Sequence, residues 1–170
     1  RLLAMRYVLK NEHGNTHNAL MYGAGHGGIE LFMVLFIGMI NNLIYSVMIN
    51  LGQTLLAPLD EASRGTLQTA FDALIRTPSW HFALSPVERL AAITAQIGLS
   101  MIVWCAATDK KVKGCLFILA ILLHAILDGV AVLAAKSGMS LIVVEIFVWL
   151  IAIGIILIAR NTVKCVKKEH

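Results

Sequence analysis

The sequence predicts an all-α fold, a polytopic transmembrane helical bundle of about four spans with the end of an upstream helix and a short amphipathic surface helix. Three observations predict it. The 170-residue chain is 58% hydrophobic, with a mean hydropathy of +0.79, too apolar for an ordinary soluble domain. Charged residues make up only 14% of it and gather between long apolar runs. Those runs reach the roughly 20 residues that a helix needs to cross a hydrocarbon core.

Taken in order, residues 1–10 (RLLAMRYVLK) read as the last turns of a helix that begins earlier. Residues 1–170 are then one membrane-embedded domain, the carboxyl-terminal part of a longer protein. No signal peptide precedes the first span. That span covers about residues 18–49, long enough to protrude beyond the membrane. Residues 51–87 follow as a loop with Pro58, Asp60, Glu61, Pro78 and Pro86. Within the loop, 66–75 (TLQTAFDALI) carries an apolar stripe of Leu67, Ala70, Phe71 and Leu74, the pattern of a short helix on a membrane surface. The other spans cover about 89–107, 114–135 and 141–159.

Charge sets the expected topology. Arg1, Arg6, Lys10, Lys110, Lys111, Lys113, Arg160, Lys164, Lys167 and Lys168 collect on one side, and Arg64, Arg76, Arg89 and Lys136 on the other. The excess of basic loops puts both ends of the chain and the 108–113 loop in the cytoplasm of a cell membrane, with 51–87 extracytoplasmic. Orientation also accounts for the net charge of +4 without a nucleic-acid partner. Cys105, Cys115 and Cys165 have no metal spacing and form no disulfide framework; the first two read as packing thiols, and Cys165, beside a membrane exit, could be lipidated.

The polar residues inside the spans are the candidate functional residues. His26 precedes Glu30, and His124 precedes Asp128, each by four positions, so each pair shares a helix face. Ionisable groups in lipid are costly unless paired or turned to a cavity. Counted from the cytoplasmic ends of their spans, His26 and Glu30 lie about 12 and 18 Å deep, and His124 and Asp128 about 15 and 21 Å. Gln96 and Glu145 come at about 16 and 21 Å. Four spans thus bring polar groups to one layer near the middle of the membrane. Gly23, Gly25, Gly27 and Gly28 surround His26 and allow close approach of a helix or of a substrate.

Several chemistries suit that layer. Peptide hydrolysis needs a carboxylate to activate water and donors for the oxyanion. His26 and His124 with an acid could hold a divalent metal such as zinc if their helices converge, although the zincin pattern is missing. A proton relay would use the same residues. A purely structural role in helix packing suits each of them as well.

Tyr22–His26 and His124–Asp128 resemble the second and third motifs of the glutamic-type intramembrane proteases, aromatic-x-x-x-His and His-x-x-x-Asn/Asp. The Gly-His-Gly-Gly-Ile-Glu stretch and the surroundings of Glu88 and Arg89 resemble the YhfC family of that clan, related to the CAAX prenyl proteases. The resemblance covers nearly the whole chain. Gln96 departs from it, since the resemblance implies a histidine near that position. Arg1 resembles the arginine of the clan's first motif, Glu-Glu-x-x-x-Arg, which would place the catalytic glutamates just before the chain.

The resemblance implies an intramembrane protease that hydrolyses a peptide bond of a membrane-associated peptide or protein in the lipid bilayer. His26, Glu30, His124 and Asp128 are its expected catalytic residues, with His26 and His124 as the metal candidates. A proton-coupled transporter and a non-catalytic membrane scaffold are the alternatives.

Overall fold

The apolar runs form long helices. The computed structural model describes residues 1–9, 15–52, 58–108 and 113–168, and no strand occurs among them. Lys10, Lys110 and Lys111, with most of the 108–113 loop, lie outside the described residues, as do the side chains of Lys113, Lys167 and Lys168. A π-helical turn lies at Ala4–Val8. The helices are α1 (His17–Leu31), α2 (Ile37–Leu51), α3 (Glu61–Arg76), α4 (Ser79–Thr108), α5 (Lys113–Lys136) and α6 (Leu141–Lys168). A π-helical turn at Phe32–Phe36 joins α1 to α2. Four helices are long and apolar enough to cross a membrane: His17–Leu51, Ser79–Thr108, Gly114–Ala134 and Leu141–Val166.

The chain divides into two units, one of residues 1–29 and 87–170 and one of residues 30–86. In the first, α4 is the central helix. Ala91, Ala95, Leu99, Ile102 and Trp104 are all buried, and so are Gln96 and Ser100. Lipid is as apolar as leucine, so close packing of small residues holds such helices together. Gly23 and Gly27 of α1 do this against α4. A Cβ on Gly23 would lie 2.6 Å from Ile97 Cα, and one on Gly27 would lie 3.2 Å from Ile93 Cα. Gly98 does the same for α4 against α6, since a Cβ there would lie 2.8 Å from Ile155 Cγ2.

Ala91, Ala95 and Ile102 of α4 and Val148, Ala152 and Ala159 of α6 are buried. Ala120, Leu127 and Ala134 give α5 its buried face.

In the second unit, α3 begins six positions or so earlier than its apolar stripe suggests, because Asp60 caps it. Asp60 Oδ1 accepts from Ser63 N–H at 2.9 Å, and Ser63 Oγ donates to Asp60 Oδ2 at 2.7 Å, which satisfies an otherwise orphaned first-turn donor. The stripe also has a partner within the unit. Buried Phe71 meets the Tyr45 ring of α2 edge-on at 5.7 Å.

Three expectations are corrected. Residues 79–87 are the start of α4 and not loop, and Pro86 lies inside the helix. Proline removes one backbone bond and can kink a helix without ending it. The helix α6 continues to Lys168, well past residue 159, because nothing in Asn161–Lys168 is a helix breaker. Cys105 is buried as a packing thiol, but Cys115 is exposed, since it sits on the outward face of the first turn of α5.

Candidate functional site

The helix α1 displays two different glycine faces. Gly23 and Gly27 are buried against α4, whereas a Cβ on Gly25 or Gly28 would meet nothing within 4 Å. The close-packing role expected of all four thus belongs to Gly23 and Gly27, and Gly25 and Gly28 leave open space beside His26. Residues 22 and 26 are one turn apart, and their rings lie nearly parallel, with centroids 6.2 Å apart. Tyr22 packs on the core of the first unit while His26 is exposed. Glu30 follows one turn later, half-buried, and belongs to the second unit.

On α5, His124 Nε2 stands 3.6 Å from Asp128 Oδ2. That distance is ion-pair range and longer than a normal hydrogen bond. His124 Nδ1 is the more informative atom. It is buried with no hydrogen-bond partner, and buried polar nitrogens without partners are rare and costly. The two side chains are 41% and 65% exposed, and a proton held at Nε2 would leave the lone pair on Nδ1.

Gln96 has a side-chain partner distant in the chain. The Arg1 guanidinium donates to Gln96 Oε1, and Gln96 is only 3% exposed. Arg1 is therefore bound into the first unit at the level of the polar layer. Ser100 escaped sequence reasoning. It lies one turn below Gln96, fully buried, with Oγ unpartnered. The signal was its four-residue spacing from Gln96 on a helix otherwise made of small and apolar residues. Glu145 is buried on α6 with Oε2 unpartnered. Glu88 and Arg89 form an ion pair.

Among the described residues, no three His, Cys, Asp or Glu side chains gather as a metal ion would require. Catalytic zinc sites take three protein ligands and leave one position open. His124 Nδ1 has the chemistry of a ligand, but the described residues supply no complete set around it, so no step is routed through a metal.

The fold defines a polytopic helical membrane protein that carries ionisable residues within its spans. A family model described as YhfC intramembrane metalloprotease matches residues 1–148, and the chain belongs to that family. It is 35% identical over 153 residues to the uncharacterized membrane protein YhfC of Bacillus subtilis (strain 168). The match covers 89% of this chain and 58% of the relative, so the chain spans rather more than half the relative's length. No solved structure matches it.

Proposed function

We propose that the protein is an intramembrane peptidase and that this chain carries part of its catalytic centre. The observation that carries the reading is His124, whose Nε2 stands 3.6 Å from Asp128 Oδ2 and whose Nδ1 is buried and unpartnered. A neutral imidazole with a carboxylate near one nitrogen can take a proton at the other from a water that reaches it. Once protonated, it can donate to the oxyanion of the tetrahedral intermediate. Asp128 is the positioning residue for this step. On α1, His26 and Glu30 form the second candidate pair. An exposed histidine near the membrane midplane needs a polar surrounding, and the open space at Gly25 and Gly28 gives a peptide backbone room to approach His26.

The family description supports a protease-like role. The peptide-bond substrate, the four catalytic residues and the placement of both ends of the chain in the cytoplasm belong to this proposal. The test is cleavage of a single-span peptide by the full-length protein in lipid nanodiscs. Turnover should fall sharply with His124→Ala and with His26→Ala; unchanged turnover in both variants overturns the reading.

A proton-coupled carrier is the second reading, favoured by the buried, unpartnered Glu145 carboxyl. It predicts pH-driven flux in proteoliposomes without peptide cleavage.

A further inference from the structure

The last turns of α6 have no part in the hydrolysis outlined above, and their length is more than a membrane crossing needs. The helix runs from Leu141 to Lys168 without a break. Its stretch 141–159 rises about 28 Å, nearly the whole of a hydrocarbon core about 30 Å thick. Outside that core, the polar layer of each leaflet is about 5–8 Å deep. Residues 160–168 rise about 13 Å more, so these turns cross the headgroup layer and emerge from it.

Their composition has one sign of charge. Arg160, Lys164, Lys167 and Lys168 are basic, and no residue from 160 to 168 is acidic. With 3.6 residues per turn, those four positions fall within about 100° of the helix circumference. Arg160 and Lys164 are exposed, whereas Ala159 is buried and Thr162, Val163 and Val166 are half-buried. Among the described residues, neither Arg160 nor Lys164 takes part in an ion pair. We propose that this face of α6 binds the headgroups of anionic phospholipids. A row of cations at headgroup depth, with no acid among them, complements phosphodiesters that carry net negative charge; zwitterionic headgroups offer none. Lysine and arginine stems are long enough to bring a charge from a neighbouring turn to the phosphate level. The site is separate from the His124–Asp128 pair and does not depend on the protein being a peptidase.

Native mass spectrometry of the full-length protein, released from nanodiscs of equal parts phosphatidylglycerol and phosphatidylcholine, tests this without any activity assay. The wild type should retain phosphatidylglycerol in preference. Arg160→Gln and Lys164→Gln should each lower that preference about fivefold, and the pair together should lower it further. Each single variant reads the effect if the pair fails to fold, and Arg160→Lys should keep the wild-type preference. Arg64→Gln with Arg76→Gln, on α3, should leave it unchanged. A nanodisc offers the same lipids on both faces, so the direction of insertion does not enter. Equal retention of the two lipids by the wild type overturns the proposal, because basic residues that only direct insertion need not choose between headgroups. So does a preference that survives every α6 glutamine variant, or one that falls as far in the α3 variant. Inorganic phosphate that strips phosphatidylglycerol further than sodium chloride of equal ionic strength also overturns it, by making the site one for soluble phosphate.

Discussion

The backbone of Gly23 rests on that of Ile97 with no room for a methyl group between them. A Cβ at position 23 would come within 2.6 Å of Ile97 Cα and 3.1 Å of Ser100 Cβ. Two residues along, Gly25 faces open space. The contrast yields a paired prediction. Gly23→Ala should destabilise the protein by about 1–3 kcal/mol, the usual cost of overpacking. Gly25→Ala should leave stability unchanged or raise it by up to about 1 kcal/mol through helix propensity. Thermal unfolding in detergent, followed by loss of helical circular dichroism, distinguishes them.

The His124–Asp128 pair predicts a graded loss of function. His124→Ala should lower peptide cleavage by about 10²–10⁴-fold, the range for a lost acid–base group. Asp128→Asn should lose less, because it removes the tautomer preference and leaves the imidazole. Nitrogen NMR of labelled histidine reads the cause independently: the wild type should carry its ring proton on Nε2, and the Asn variant should show a mixture. A wild-type ring protonated at Nδ1 would contradict the role assigned to that atom.

Asp60 gives the pH prediction outside the membrane. The Ser63 backbone N–H, and then its hydroxyl, hold the Asp60 carboxyl below its ordinary value of 3.8. A carboxyl group whose value is lower in the folded state stabilises that state above its unfolded value, and the contribution fades as pH falls through the folded one. The cap of α3 should therefore be intact at neutral pH and weaken only below about pH 3.8. Amide exchange at Ser63 should accelerate there in the wild type. In Asp60→Asn, that pH dependence should vanish.

The topology can be checked with the cysteines already present. Cys165 is exposed near the end of α6, and the charge pattern puts that end in the cytoplasm. A membrane-impermeant maleimide applied to intact cells should leave Cys165 unlabelled and should label a cysteine introduced at Thr69 of α3. Labelling of Cys165 alone would invert the topology.

The four spans were legible because an uninterrupted apolar run has few other ways to fold. Their ends were less so. Pro86 reads as a breaker along the chain, yet a helix with neighbours can lose one backbone bond and continue, and α4 does. The Asp60 cap was visible in principle as Asp-Glu-Ala-Ser ahead of the stripe. His124 and Asp128 were legible as a pair because helical spacing fixes them as neighbours. The bond between Arg1 and Gln96 was not, since residues 95 positions apart meet only through tertiary packing. The Gly98–Ile155 contact was hidden for the same reason.

On the proposed reading, polar groups in the spans, His124 foremost, support hydrolysis of a peptide bond within the membrane. Its most direct test is mass spectrometry of a single-span peptide incubated with the full-length protein in nanodiscs made up in heavy-oxygen water. A new peptide carboxyl end carrying one solvent oxygen should form with the wild type and at most about one hundredth as fast with His124→Ala. An intact peptide with the wild type, or equal label from both proteins, would contradict it.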